Sequence, residues 1–241
     1  MKNFHADKIC FSYGDKIIFD VATLEAYPHQ ITGILGANGA GKTTFFDLAC
    51  GLQRLRSGYI KNDFRQLLYL SQTIMTSPVL RMSDTFNMIA ALATKKQISF
   101  KCALEKLRTW SSGTVDRYLE VYHKKSSICS YGEKRWFFTL TLLVLDADLI
   151  ILDEPTAGVD PEFRFYIWQC LTHAAAEGAA ILVSSHNIEE VAQYCDTFYI
   201  LTQKKFRQFS SGDEFKVCYK AQTLDEAFIL STNSKYLAPS G

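Results

Sequence analysis

The sequence predicts an α/β fold with a mostly parallel sheet, an antiparallel β subdomain near its start and an inserted helical subdomain. Three observations support this prediction. A glycine-rich segment, residues 36–43, lies between an apolar β-branched run and a run that can form a helix. Two further apolar runs, residues 148–154 and 179–185, have the composition of buried strands. Amphipathic helical stretches replace the strand patterns over residues 73–128.

Composition limits the classes of protein to consider. A chain of 241 residues with 48% apolar residues is long enough for one large domain with a substantial core. Its 26 basic residues balance 25 acidic ones, so its net charge gives no argument for binding nucleic acid, and we expect no nucleic-acid partner. Its seven cysteines contain no CxxC pair, which favours reduced, buried thiols.

The sequence predicts neither a membrane-spanning segment nor a secretory signal. The longest apolar run, residues 136–152, contains Asp146 and Asp148, and no apolar stretch typical of a secretory signal follows the first residues. We therefore expect a soluble, cytoplasmic chain, with any membrane-spanning part supplied by another protein.

The first element is a predicted pair of strands within residues 7–25, joined by a turn at Gly14 and Asp15. Tyr13 precedes that turn, and from this stretch alone an ordinary strand aromatic is favoured over a ring that stacks on a base. Residues 58–70 predict two more strands, and Gln72 follows the second of them without any signal of its own.

The glycine-rich segment from Gly36 to Thr43 matches the phosphate-loop pattern G-x-x-x-x-G-K-[ST] at every fixed position. Glycines let backbone N–H groups turn inward around a phosphate, and the following helix directs its positive end to the same place. Lys42 is expected to reach the β- and γ-phosphates, and the Thr43 hydroxyl to ligate Mg²⁺. A glycine-rich turn that matches by chance would not need the strand and the helix on either side.

The remaining elements follow from periodicity. Helical stretches are predicted at residues 83–95, 99–110 and 114–123, a hairpin at 196–209 and a short closing helix at 222–231.

Acidic and imidazole side chains follow the two later strands. Asp153 and Glu154 end the first, where a parallel sheet places its chemistry, so Asp153 is expected to hold the Mg²⁺ shell and Glu154 to polarise the attacking water. The alternative is a solvated acidic turn at the end of a strand. His186 ends the second strand at the same edge, which favours contact with the γ-phosphate over a purely structural role.

Taken together, these residues resemble the nucleotide-binding subunit of ATP-binding cassette (ABC) transporters over nearly the whole chain. The family motifs occur in order and at family spacing: Tyr13 (base-stacking aromatic), residues 36–43 (phosphate loop), Gln72 (Q-loop), residues 153–156 (second acidic motif), residues 157–160 (D-loop) and His186 (switch histidine). Residues 73–128 occupy the position of the family's helical subdomain, with residues 1–72 and 129–241 as the nucleotide-binding core.

The resemblance implies three sets of site residues. ATP is expected to contact Tyr13, Gly36, Asn38, Gly39, Ala40, Gly41, Lys42, Thr43, Thr44, Ser130 and Gly132. Mg²⁺ is expected at Thr43, Gln72 and Asp153, and catalysis to use Glu154, His186 and Gln72.

One motif departs from the family pattern. Where the family has Leu-Ser-Gly-Gly-Gln, this chain has Cys129 to Glu133, in the order Cys-Ser-Tyr-Gly-Glu. In the family this segment begins a helix that faces the γ-phosphate held by a second subunit. The favoured interpretation is that the Tyr131 ring turns away from the nucleotide while Ser130 and Gly132 act, and the alternative is a ring that obstructs closure.

The resemblance further implies an ATP-hydrolysing subunit that forms a head-to-tail homodimer and drives a separate membrane-spanning partner, which would hold it at the inner face of the cell membrane. Residues 224–228 are similar to a stretch of exporter-type subunits and favour export weakly. Two alternatives remain: a regulatory subunit with little hydrolysis, and a soluble ABC ATPase outside transport.

Overall fold

The computed structural model describes residues 2–93 and 98–233. In chain order its strands are β1 (Phe4–Tyr13), β2 (Lys16–Ala26), β3 (Gln30–Leu35), β4 (Ser57–Asn62), β5 (Leu67–Leu70), β6 (Leu149–Asp153), β7 (Ala180–Ser185), β8 (Thr197–Thr202) and β9 (Lys205–Phe209). Its helices are α1 (Lys42–Ala49), α2 (Met82–Ala93), α3 (Phe100–Trp110), α4 (Val115–His123), α5 (Tyr131–Val144), α6 (Pro161–Ala176), α7 (Ile188–Tyr194), α8 (Gly212–Tyr219) and α9 (Leu224–Thr232).

These strands form two sheets. The larger has the order β5-β6-β7-β3-β8-β9, in which every neighbouring pair is parallel except β8 with β9. The smaller has the order β2-β1-β4 and is antiparallel. Both the mostly parallel sheet and the antiparallel N-terminal subdomain predicted from the sequence are confirmed.

Apolar side chains fill the space on both faces of the larger sheet. One core lies between that sheet, α1 and the smaller sheet, and includes Phe4, Phe19 and Phe45. A second core lies on the opposite face and joins the sheet to α5, α6 and the inserted helices through residues such as Trp136 and Trp168. Because the inserted helices share this second core, they are joined to the sheet through α5 and α6, which pack on its strands.

The predicted helical insertion contains α2, α3 and α4. Its two ends lie side by side: Arg81 and Lys125 form an isolated antiparallel bridge, and the Ser126 N–H donates to the Leu80 carbonyl over 2.9 Å. Of the predicted stretch 83–95, residues 94 and 95 lie outside the described residues, and the division of the chain into subdomains stays a prediction.

The order of the strands brings the motifs to one edge. β3 is central in the sheet and leads into the glycine-rich loop, while β6 ends at Asp153. Parallel register sets Asp153 opposite Ser184 near the end of β7. The carboxyl ends of these strands therefore meet at one edge, the usual ligand position of an open α/β sheet.

Candidate functional site

A cleft of about 210 Å³ opens at this edge of the sheet. Most of the residues predicted to bind nucleotide or metal line it: Tyr13, Asn38, Gly39, Gly41, Lys42, Thr43, Thr44, Gln72, Asp153 and Glu154. The other predicted site residues do not line it: Gly36, Ala40, Ser130, Gly132 and His186. Three lining residues had not been predicted to contact ATP or metal: Lys16 and Ile18 of β2, and Ala37 of the glycine-rich loop.

The glycine-rich loop needs glycine at Gly41, immediately before α1. Its φ is 118°, and a Cβ there would lie 2.6 Å from Cγ2 of Ile18. An L side chain would therefore meet both backbone strain and a collision. The chain turns here so that α1 begins at Lys42, with its first N–H groups directed at the cleft.

Thr43 and Asp153, predicted to share a metal, are in direct contact across the cleft. The Thr43 hydroxyl donates to Oδ2 of Asp153 over 2.6 Å. Ser184 donates to the other carboxylate oxygen over 2.5 Å and accepts the Glu154 N–H over 2.9 Å. Ser184 thus orients both acids, and the only sequence signal for it is a hydroxyl residue near the end of an apolar strand.

Glu154 lies between two cationic or ionisable side chains. Its Oε1 is 3.5 Å from Nζ of Lys42, and its Oε2 is 2.7 Å from Nδ1 of His186. The Glu154 side chain is only 5% exposed, whereas His186 is 66% exposed. Nζ of Lys42 also donates to the Gly36 carbonyl over 2.7 Å, which closes the loop on itself.

The backbone at Glu154 is strained. Its φ is 54°, in the left-handed region that a residue other than glycine seldom occupies. Such strain persists only when surrounding contacts impose it, and it is concentrated at functional sites. Here the imposed turn directs the carboxylate back over the phosphate loop instead of continuing the strand.

Tyr13 lines the cleft from the tip of the β1–β2 hairpin. Its ring is 47% exposed and packs edge-on against Phe11, with 4.9 Å between centroids. An exposed aromatic face at the mouth of a polar cleft can stack on a planar ring.

The segment at the start of α5 forms a capping box. The Ser130 hydroxyl accepts the Glu133 N–H over 3.0 Å, and the Glu133 carboxylate accepts the Ser130 N–H over 2.9 Å. Glu133 also pairs with Lys124 over 2.9 Å. Burial opposes ionisation, but the Ser130 N–H and Lys124 hold the pKa of Glu133 below its ordinary value. Glu133, which replaces the family's glutamine, therefore has a structural role: it caps the start of α5 and pairs with Lys124.

Gly132 is required by a close backbone approach. A Cβ at this position would lie 2.8 Å from the carbonyl oxygen of Gly158, which has a φ of 71°. The start of α5 thus packs directly on the 157–160 segment. This contact explains why the second glycine of the segment is retained while the first is replaced by Tyr131.

The glycine-rich loop, the acids Asp153 and Glu154, and their place at the carboxyl edge of the larger sheet together define a phosphate-loop nucleotide-binding protein. The sequence matches the ABC transporter family over residues 19–157, more than half of the chain. The chain belongs to this family. It is an ATP-binding subunit; such subunits are ATPases, and they work with membrane transporter components.

Relatives agree with this assignment. The chain is 30% identical to protein McbF of Escherichia coli over 217 residues, which cover 87% of this chain and 86% of that protein. It is 28% identical over 225 residues to the cobalt import ATP-binding protein CbiO of Salmonella typhi, covering 88% and 82%. An ATP-binding subunit of an ABC transporter shares the fold with a TM-score of 0.82, at 22% identity over 95% of this chain and 99% of that one.

No helix in residues 2–93 or 98–233 is both long and apolar enough to cross a membrane.

Proposed function

We propose that ATP binds in the cleft with its phosphates in the glycine-rich loop and its base on Tyr13, and that Glu154 activates the water that attacks the γ-phosphate. One observation carries this proposal: Glu154 is held between Lys42 and His186, while Asp153 beside it holds Thr43. A buried carboxylate next to the phosphate-binding lysine is placed to accept a proton from water.

The residues of the cleft fit Mg²⁺. Thr43, Asp153 and Gln72 all line the same cleft and carry side-chain oxygens, the ligands that Mg²⁺ prefers. When bound, the ion neutralises phosphate charge. Thr43 and Asp153, whose Oγ1 and Oδ2 atoms lie 2.6 Å apart, would hold the ion.

Glu154 and His186 then have separate tasks. The carboxylate accepts a proton from water, and its left-handed backbone keeps it directed at the loop. His186 shares a hydrogen bond with the same carboxylate, and its ring is exposed enough to contact a phosphate oxygen of bound ATP.

Ser130 and Gly132 border no part of their own cleft, so a second copy of the chain is needed to use them. We propose a head-to-tail homodimer in which each cleft faces the α5 start of the other copy. The Ser130 hydroxyl accepts the Glu133 N–H and still has its own proton to donate to a phosphate. The N-terminus of α5 adds favourable electrostatics there.

Subunit mixing tests this arrangement. Ser130→Ala and Lys42→Ala should each have low ATPase activity alone, because removal of one donor to developing charge typically costs about 3 kcal/mol. Mixed dimers contain one site with both residues intact, so part of the activity should return.

Ser211→Ala is the matched control, because Ser211 caps α8 through the Glu214 N–H in the same way but lies on another element. It should leave turnover unchanged. Verified mixed dimers without any regained activity would contradict the head-to-tail arrangement.

We propose that a membrane-spanning partner holds the chain at the inner face of the membrane. Gln72 and the inserted helices that follow it are proposed to couple ATP hydrolysis to that partner. We expect partner-stimulated ATPase activity to fall more in Gln72→Ala than ATP affinity does, because Gln72 lines the cleft while its backbone continues into the insertion. Gln53→Ala, an exposed glutamine in another loop, is the control. Equal stimulation of Gln72→Ala and wild type would contradict this role. The direction of transport stays a prediction.

A further inference from the structure

Arg135, one turn into α5, is a fully buried charged side chain. Its guanidinium donates to the carbonyl of Asp153 over 2.8 Å and to that of Ser71 over 3.3 Å, and it also donates to the carbonyl of Gln72. These carbonyls end β6 and follow the end of β5. One side chain therefore ties the start of α5 to the acidic motif and to the segment that carries Gln72.

The way this charge is stabilised indicates that its position matters. In residues 2–93 and 98–233, no carboxylate forms an ion pair with Arg135, and its Nε has no hydrogen-bond partner. Burying an unpaired cation is costly, and three carbonyl dipoles directed at it offset that cost. The guanidinium geometry suits several fixed acceptors at once, which a lysine could not reach together.

Tyr131 completes this set of contacts. Its hydroxyl accepts from Arg135 over 2.6 Å and donates to the Gln72 carbonyl over 3.2 Å. The ring lies 5.4 Å from the guanidinium and covers Gly158, where an added Cβ would be 3.2 Å from it. Tyr131, one of the three residues that depart from the family segment, is thus engaged with its own subunit.

We propose that Tyr131 and Arg135 form a latch that fixes the Gln72 backbone against the start of α5. Both are positioning residues that act through Gln72. The latch holds the Gln72 amide at the cleft of its own subunit and, through the same contacts, ties it to the Ser130–Glu133 segment offered to the second copy. This role rests on the proposed function of Gln72.

The latch differs from both interpretations of Tyr131 that the sequence allowed. If Tyr131 were a tolerated variant, Tyr131→Gly would leave ATP turnover unchanged. If its ring obstructed closure, Tyr131→Gly would raise ATP turnover. With a latch, any variant that lacks the Tyr131 hydroxyl should hydrolyse ATP more slowly, because the Gln72 carbonyl loses one donor and Arg135 loses one acceptor.

Tyr131→Phe is the test, since it keeps the ring on Gly158 and removes only the hydroxyl. Tyr131 is half exposed, so the variant should fold normally. We expect kcat to fall about five- to tenfold with KM for ATP nearly unchanged, the scale of losing one ordinary hydrogen bond. Tyr118→Phe is the control, because it removes a buried hydroxyl bonded to Thr141 in the helical region, away from Gln72.

A double-mutant cycle shows whether Tyr131 acts through Gln72. In a Gln72→Ala background, Tyr131→Phe should cause no further loss of kcat. Hydrogen exchange gives a readout that does not depend on activity: in nucleotide-free Tyr131→Phe, the peptide covering residues 71–76 should exchange faster than in wild type and in Tyr118→Phe.

Three results would overturn the latch: wild-type kcat in Tyr131→Phe, an equal loss in both backgrounds, or unchanged exchange at residues 71–76. If Glu154→Gln and Gln72→Ala lose turnover while Tyr131→Phe does not, the latch is wrong and the proposed function stands. Wild-type turnover in Gln72→Ala would overturn both the latch and the proposed role of Gln72.

Discussion

Glu154→Gln should retain ATP affinity and lose ATPase turnover by at least about 100-fold, the lower end of what a positioned general base contributes. The amide has almost the same shape as the carboxylate, so His186 and the loop keep their positions. It cannot accept a proton, so bound ATP should persist. Steady-state phosphate release and equilibrium ATP titration measure the two effects separately.

The same variant should accumulate an ATP-bound dimer, because closure no longer ends in hydrolysis. Size-exclusion chromatography with ATP and Mg²⁺ would detect it. Glu162→Gln is the matched control: it removes an exposed acid from the first turn of α6 and should behave like wild type. Normal turnover in Glu154→Gln would exclude Glu154 as the base.

Lys42→Ala should weaken ATP binding itself, by about 10- to 100-fold, the range of one or two charge-assisted hydrogen bonds. Nζ of Lys42 lies at the loop, 2.7 Å from the Gly36 carbonyl and 3.5 Å from Glu154, so its removal takes the buried positive charge from the place of the phosphates. It also leaves the Glu154 carboxylate without a cation next to the triphosphate, which adds repulsion.

Lys101→Ala is the control for this prediction, because Lys101 is an exposed lysine of α3. Its ATP affinity should equal that of wild type. Unchanged affinity in Lys42→Ala would remove the assignment of the phosphate loop, on which the position of the whole site depends.

The sequence predicted the parts of the site that consist of contiguous residues. The loop before Lys42 and the strand ending at Glu154 each carry their own strand, turn and chemistry, so a local pattern is enough. Tyr13 and Gln72 carried no such pattern, and the family resemblance supplied their roles. Both line the cleft.

The parts that sequence missed depend on contacts between distant segments. Ser184 is opposite Asp153 only because β6 and β7 are neighbours in register. Arg135 is the last of three consecutive charged residues before an apolar run, and its acceptors lie 18 and more than 60 positions away. No periodicity or spacing rule connects such pairs before the fold is known.

Three helices were also missed: α6, α7 and α8. Each begins at a side-chain cap, Asp160, Asn187 and Ser211 respectively, whose oxygen accepts the N–H three residues later. At α8 the Ser-x-x-Glu pattern of Ser211 and Glu214 was available in the sequence, but a helix of eight residues is too short for a clear apolar period.

The most direct measurement of the proposed function is a crystal structure of the Glu154→Gln variant grown with ATP and Mg²⁺. The structure should contain two copies of the chain, with each triphosphate between residues 36–43 of one copy and Ser130 and Gly132 of the other, and the metal next to Thr43 and Asp153. ATP bound away from the glycine-rich loop, or a dimer joined through a face that leaves Ser130 in solvent, would contradict it.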